Sequence, residues 1–403
     1  MQTNIPASLL ASEDGQEANR ILRSCVHCGF CTATCPTYQQ LGDELDGPRG
    51  RIYLIKDMLE GGAVSATTQQ HLDGCLSCRS CESTCPSGVE FAHLADIGRN
   101  MVDARVKRPL RQRIVRALLL TILPYRSRFS RLITLARLFK MFLPQHLRQQ
   151  LTRKPSPGQS APSYPKHHHQ RHILLIEGCV QPVLSPHIDI ATANVLDRLG
   201  ISIQRTHIAQ CCGAIEHHGQ AKEASLQRMR NNIDLWLPYL ERGAEAIVSS
   251  ASACALEIKE YAYLLRHDMN YNKKAARISA ACKDISEVIG AEELTTLQRK
   301  RSKTVAFHAP CSLQHGQKLN TIVEGILQQV GFTLCPITDA HLCCGSAGTY
   351  AILQSEMAKA LRDQKIKTLT QAKPDIIASA NIGCLHHLAG GTDQTIKHWI
   401  ELL

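Results

Sequence analysis

Apolar positions follow two different periods along this chain. From residue 104 the spacing is helical: Val106, Leu110, Ile114 and Leu118 recur every four residues, and Leu132, Leu135, Phe139 and Phe142 every three or four. That pattern predicts amphipathic helices, with Pro124 and Pro144 where they should stop. Beyond residue 170 short apolar runs alternate with helical stretches. "RHILLIEGC" ends at Cys179 and "KTVAFHAPC" at Cys311, each read as a buried strand delivering a cysteine at its end. Each run leads to a helix closing on glycine, "VLDRLGISI" at Gly200 and "ILQQVGFTL" at Gly331. "CCG" follows, as Cys211-Cys212-Gly213 and Cys343-Cys344-Gly345, then "GAEAIVSSASAC" to Cys254 and "KPDIIASANIGC" to Cys384. From Cys179 to Cys211 and from Cys311 to Cys343 the interval is 32 positions in both cases. The second half is therefore an internal repeat of one α/β unit carrying four equivalent cysteines. Cys282 and Cys335 have no counterpart and read as core or surface residues.

The 403 residues include 18 cysteines. The N-terminus, MQTNIPASLLASEDGQEANR, shows neither the basic n-region nor the apolar h-region of a signal peptide, so no secretion is expected. The longest apolar run, Ala117–Leu123, is interrupted by Thr121 and falls far short of the roughly 18–20 residues that span a bilayer. In a reducing compartment clustered cysteines serve as metal ligands or redox groups more readily than as disulfides.

Eight of them form one spacing written twice, C-x2-C-x2-C-x3-C-P, in "CVHCGFCTATCP" (Cys25–Pro36) and "CLSCRSCESTCP" (Cys75–Pro86). Three cysteines two residues apart curl round one small object, and the fourth, before proline, reaches to a neighbouring cluster. The expected ligand sets are Cys25, Cys28, Cys31 and Cys85 for one [4Fe–4S] cluster, and Cys75, Cys78, Cys81 and Cys35 for a second. Gly29 would let the backbone pass close to its cluster. Structural zinc is the competing reading, but zinc knuckles use well-separated Cys-x2-Cys pairs. In the repeats, Cys179, Cys211, Cys212 and Cys254, and Cys311, Cys343, Cys344 and Cys384, are candidate ligands for a further iron–sulfur cluster or zinc. His308, His315, His386 and His387 stand near them in sequence. The alternative there is buried cysteine acting as a small hydrophobe.

The net charge is +11, and residues 104–154 hold fourteen Lys/Arg and no Asp or Glu. Such helices suit an anionic membrane surface or an acidic partner. Nucleic acid is not expected, since aromatic residues are 4 % of the chain and no binding signature is present. "KPSPGQSAPSYPKHHHQ" reads as linker, and "HHHQRH" (His167–His172) as flexible linker in preference to a metal site; "LDGPRGR" reads as a turn opening a helix over 49–60, in preference to arginines that orient a cluster loop or a partner. No Gly-rich dinucleotide loop, G-x-S-x-G or P-loop is present, so no site for organic substrate chemistry is expected on this chain.

The fold class expected is an α+β multidomain chain. A helical two-cluster ferredoxin-like domain (1–103) precedes a basic helical segment (104–154), a Pro/Ser/His linker (155–171) and two tandem α/β CCG repeats (172–290 and 300–403).

The doubled cysteine motif followed by two CCG units resembles the iron–sulfur subunits of glycolate oxidase, anaerobic glycerol-3-phosphate dehydrogenase and heterodisulfide reductase. The connecting text, including "TYQQLGDELDGPRGRIYLIK", "SPHIDIATANVLDRLGIS", "HLCCGSAGTYA" and "HWIEL", is most similar to the bacterial glycolate oxidase group. The resemblance implies electron transfer from FAD-bearing flavoprotein subunits, which oxidise glycolate to glyoxylate. It further implies peripheral attachment to the cytoplasmic side of the inner membrane and a quinone or other membrane acceptor. D-lactate or glycerol-3-phosphate as the partner's substrate, and chemistry at a CCG site itself, stay open at this point.

Overall fold

A computed structural model describes residues 1–139, 163–206, 208, 211–298 and 303–403. Phe142, Pro144 and the first part of the expected linker lie outside the described residues.

The N-terminal domain is built from helices. Ser12 caps the helix Glu13–Ser24 by accepting from the Gly15 N–H at 3.1 Å, and Glu13 and Asp14 face the positive end of the helix dipole. Pro48 opens the helix Pro48–Leu59, where its missing N–H costs nothing. Ser65 caps Ala66–Asp73, and Phe91–Arg105 closes the domain. Their inward faces form one core of Ile21, Leu22, Ile55, Met58, Leu59, Leu72 and Leu94. Phe91–Arg105 ends two residues past 103, where Val106 turns extended and its N–H bonds the Val102 carbonyl.

Two helices follow, Leu110–Ile122 and Arg126–Leu138. One side of the first lies against the first repeat: Arg116 donates to Gln220 at 2.7 Å, and Leu120 sits over Gly219. The other side is bare, with Leu110 69 % and Leu118 53 % exposed. Val106 is not part of that helix; it caps the preceding one.

Each repeat is a four-stranded parallel sheet. The first comprises β1 (Arg171–Ile176), β2 (Ile201–Arg205), β3 (Ile247–Ser249) and β4 (Cys282–Asp284), in the order β2-β1-β3-β4. The second comprises β5 (Thr304–His308), β6 (Thr333–Leu334), β7 (Ile376–Ser379) and β8 (Ile396–His398), in the matching order β6-β5-β7-β8. Central strands β1, β3, β5 and β7 are apolar and buried on both faces, as parallel sheets require. The two units are fused through a single core that joins Ile173, Leu196 and Val248 of one to Val305, Phe307, Leu327 and Trp399 of the other. His398 accordingly contacts the Ser250 carbonyl at 3.0 Å across the interface.

The histidine run is pinned rather than free, since His167 and His169 both contact the Asp197 carboxylate at 2.9 Å. Among the described residues no helix is long and apolar enough to cross a membrane.

Candidate functional site

The two cysteine loops are conformational copies. Cys25 ends the helix Glu13–Ser24, and Cys75 follows the helix Ala66–Asp73. Within each loop two equivalent positions adopt left-handed backbone: His27 (φ 60°) and Gly29 (φ 84°), then Ser77 (φ 51°) and Arg79 (φ 59°). Alternating hand turns successive N–H groups to one side, a geometry that surrounds anionic sulfur. The Ser77 N–H donates to Cys75 Sγ at 3.4 Å. Three of these four residues bear side chains that resist this conformation, and such strain persists where surrounding structure over-determines it. Arg79 shows that glycine is not required at the Gly29 position. Its guanidinium reaches Glu260 of the first repeat at 2.8 Å.

Cys25, Cys28, Cys31 and Cys85 line one cavity. Cys35, Cys75, Cys78 and Cys81 line another. Each cavity thus gathers three cysteines of one loop and the fourth of the other, and the first also touches Cys81. Cys81, Pro48 and Phe91 line both, so the cavities adjoin. Burial, reinforced by the neighbouring Cys25 sulfur, pushes the Cys31 thiol up to about 11. Burial likewise holds Cys81 well above the ordinary thiol range, with Cys78, Glu82 and Cys75 adding to it. Thiols this reluctant to ionise alone are a donor set that a bound cation stabilises as thiolates.

One positive charge is built in beside the second cavity. Arg51, 1 % exposed, donates to the His71 carbonyl at 2.8 Å and to Thr37 Oγ1 at 3.1 Å, and it pairs with Asp46 at 3.3 Å. Thr37 Oγ1 is in turn 3.3 Å from Cys35 Sγ. In sequence the arginines of "LDGPRGR" read first as a helix start, and second as residues that could orient a cluster loop or a partner. The equivalent of Arg51 near the first cavity, Arg49, is partly exposed and paired with Glu44 at 2.6 Å.

The CCG cysteines gather at the carboxyl ends of the parallel strands, where strand order reverses and α/β sheets hold ligands. Cys179 follows β1 and Cys254 follows β3. Their thiols form a hydrogen-bonded string through Cys211 and Cys212. Cys211 accepts from Cys179, from Cys212 and from the Gly213 N–H at 3.5 Å, which together pull its pKa down. Gly345 repeats the device, donating to Cys343 Sγ at 3.4 Å. At φ +87° it sits where a Cβ would stand 2.6 Å from the Ala358 carbonyl oxygen, so only glycine fits. The second string runs Cys311, Cys343, Cys344, Cys384. The Cys311 thiol also reaches Cys78, a wall of the N-terminal cavity. Beside that junction, Ser83 Oγ lies 2.9 Å from His315 Nδ1, and the Tyr350 hydroxyl donates to the Gly74 carbonyl at 3.1 Å.

Of the four histidines near the cysteines in sequence, the structure brings His308 to Cys344 and Cys384. His386 instead contacts Ser185 at 3.2 Å, and His387 the Ala358 carbonyl at 3.0 Å. Cys282 is buried in β4, and Cys335, partly buried, packs behind the second string.

The 4Fe-4S dicluster domain family matches residues 21–89, and the cysteine-rich CCG family matches 173–259 and 305–389. Over its full length the chain is 50 % identical to the glycolate oxidase iron–sulfur subunit of Escherichia coli, covering 98 % of that protein. It belongs to the glycolate oxidase iron–sulfur subunit family. A "probable glycolate oxidase iron–sulfur subunit" of Bacillus subtilis is 26 % identical over 93 % of this chain and 89 % of that protein. Lactate utilization protein A of Geobacillus thermodenitrificans is 25 % identical over 57 % of this chain and 98 % of its own length. Within the glycolate oxidase iron–sulfur subunit family, this chain thus joins a dicluster domain directly to two fused CCG units through a thiol contact.

Proposed function

We propose that this chain is the electron-transfer subunit of a flavin-dependent 2-hydroxy-acid dehydrogenase, with glycolate oxidised to glyoxylate on partner flavoprotein subunits that carry FAD. The observation that carries this reading is the pair of adjoining cavities, each walled by cysteines drawn from both loops, with Cys81 shared between them. Cys25, Cys28, Cys31 and Cys85 would hold one [4Fe–4S] cluster, and Cys75, Cys78, Cys81 and Cys35 the other. Bound there, the clusters supply two one-electron carriers side by side. The chain's own residues do the rest. The left-handed loop turns aim N–H groups at sulfur, Phe91 and Pro48 keep water from the shared wall, and Arg51 places a fixed positive charge beside the second set.

Direction is supported by exposure. Cys28 is exposed and flanked by Val26 (66 %) and Phe30 (61 %), an apolar rim suited to a flavoprotein surface. The second cavity faces inward to Cys311. Electrons then enter at the first set and leave past the second toward the CCG repeats and a membrane acceptor of the quinone class.

Docking to the membrane falls to the basic helices. Leu110, Ile114, Leu118, Leu132, Leu135 and Leu138 are exposed, and basic residues surround them. Each basic group near an anionic bilayer contributes about 1 kcal/mol. Arg108 and Arg116 contribute less, because both are tied to Asp73.

Anaerobic purification with metal analysis tests the cofactor reading. Brown protein with roughly eight irons in the dicluster domain is expected. Colourless protein with zinc in those eight positions would overturn it.

A further inference from the structure

We propose that Asp96, His217 and His218 form a site for one divalent transition-metal ion at the seam between the N-terminal domain and the first repeat. Asp96 lies on the helix Phe91–Arg105 of the N-terminal domain. His217 and His218 close the short helix Ala214–His218, which follows the first CCG loop. One carboxylate oxygen and one nitrogen from each ring lie within 4.8 Å of one another. Asp96 Oδ2 and His217 Nε2 are already 3.3 Å apart. Donors round a single ion stand about 3–3.5 Å apart, given metal–nitrogen and metal–oxygen bonds of about 2.0–2.2 Å. Small side-chain adjustments therefore close the set.

A second observation points to a ligand. His217 is held from behind, with its Nδ1 2.8 Å from the Glu257 carboxylate, and the Glu257 side chain is only 5 % exposed. A carboxylate behind one ring nitrogen fixes the tautomer and aims the other nitrogen, here Nε2, at an ion. Consecutive residues on a helix ordinarily diverge. Here the two rings stack, with centroids 4.9 Å apart and planes inclined by 18°, so both deliver a nitrogen to the same point.

His218 has no comparable structural task. Its ring stands 4.0 Å from Glu257 Oε2, too far for a hydrogen bond, and the side chain is half-exposed. That exposure leaves an entry path for the ion and an open coordination position.

The local charge suits a dication. Arg99 stands 3.7 Å from Asp96 Oδ1, the oxygen turned away from His217. Its guanidinium donates to the Leu72 and Cys75 carbonyls and to Ser77 Oγ. In the ion's absence His217 holds a proton between the two carboxylates. The ion takes that proton's place at Nε2, and Asp96 and Glu257 balance its two charges. Two imidazoles and a carboxylate, with no sulfur, suit zinc or ferrous iron. That composition separates the site from both cysteine strings.

The donors come from two domains, so the ion acts as a staple. Arg99, one turn along the same helix from Asp96, grips the loop that carries Cys75. Metal at the seam would therefore fix that loop against the first repeat. This inference goes beyond the electron-transfer reading and does not rest on it.

The test uses the full chain purified anaerobically, treated with EDTA and then titrated with zinc in competition with a chromophoric chelator. Zinc and iron are quantified, and zinc X-ray absorption is recorded for wild type and for His218→Ala. We expect wild type to bind about one zinc more per chain than His218→Ala, and the difference spectrum to show nitrogen and oxygen scatterers at about 2.0–2.1 Å with no sulfur at about 2.3 Å. His218→Ala should weaken this zinc at least about ten-fold, since even outer-shell losses cost that much. Its melting temperature in EDTA should match wild type, whereas added zinc should raise the melting temperature of wild type only. Asp96→Asn should lose the same zinc; because His218 is half-exposed, the His218→Ala result decides the matter even if Asp96→Asn fails to fold. Iron, rather than zinc, missing from His218→Ala as purified would support the site and identify its ion as ferrous. Equal metal content and affinity in wild type and His218→Ala, or sulfur in the difference spectrum, would overturn the proposal. A shortfall in the eight irons of the dicluster domain leaves these comparisons intact and bears only on the function proposed above.

Discussion

Neutralising Arg51 should make the second cluster harder to reduce. Thr37 Oγ1 lies 3.1 Å from the Arg51 guanidinium and 3.3 Å from Cys35 Sγ. The charge is therefore within roughly 6 Å of a ligand sulfur, where at an effective dielectric constant of about 20 it is worth ~2.8 kcal/mol. For a one-electron couple this corresponds to ~120 mV. Asp46, 3.3 Å from the guanidinium, offsets part of that field, so a negative shift of about 50–120 mV is expected for Arg51→Gln. The sign follows because a cation beside the ligand sulfur is removed while Asp46 stays. Breaking a buried pair also costs about 3–5 kcal/mol of stability. Arg51→Lys, which keeps the charge and loses the fork, therefore serves as the companion, with a shift well below that of Arg51→Gln. Arg49→Gln, on a partly exposed side chain, should barely move the first cluster. The assay is a potentiometric titration followed by EPR. A second-cluster potential unmoved or raised in Arg51→Gln would refute the electrostatic reasoning.

Cys35→Ser should erase the EPR signal of the second cluster and spare the first, while Cys85→Ser should do the reverse; loss of the signal of the mutated residue's own loop would contradict the crossing. His217 bridges Glu257 at 2.8 Å and Asp96 of the N-terminal domain at 3.3 Å. Burial alone would lower its pKa, but Glu257 and Asp96 outweigh burial and hold it well above 6.5. Asp96, buried but beside His217, is held below the usual carboxylate range. The histidine's contribution is thus complete below about pH 6.5 and is lost as pH rises through its folded value, whereas that of Asp96 is present above about pH 3.8 and is lost on acidification. Thermal melting should accordingly fall between pH 6.5 and 9 in wild type, and His217→Asn should flatten that slope; parallel slopes would sink the linkage. Replacing Leu110, Ile114 and Leu118 together with Ser should reduce co-sedimentation with anionic vesicles by at least ten-fold, at about 1.5 kcal/mol or more per leucine or isoleucine buried; unchanged sedimentation would place the membrane contact elsewhere.

Both cysteine loops and the internal repeat were legible in the sequence because their signals are local. Fixed spacings bring thiols together, and a short apolar run before each strand-end cysteine reads as a buried strand. The edge strands β4 and β8 escaped notice, being three residues each and carrying Lys283 or Lys397 at the centre. Fusion of the repeats through Phe307, Leu327 and Trp399 was equally hidden, since a shared core leaves no mark that a private core would lack. For Arg51 the sequence ranks a helix start above a role in orienting a cluster loop. Its burial depends on His71, Thr37 and Asp46, which approach only in three dimensions. Sequence proximity sets His308 beside the CCG cysteines, but which of them it meets, Cys344 and Cys384, appears only in the fold.

The central claim, that electrons from a 2-hydroxy acid pass through two neighbouring clusters on this chain, is tested most directly by anaerobic rapid mixing. The purified chain, its flavoprotein subunits and glycolate are combined, and cluster bleaching is followed. The account predicts bleaching within catalytic turnover, lost when Cys28 or Cys78 is replaced by serine. Full flavin reduction with the clusters left oxidised would contradict it.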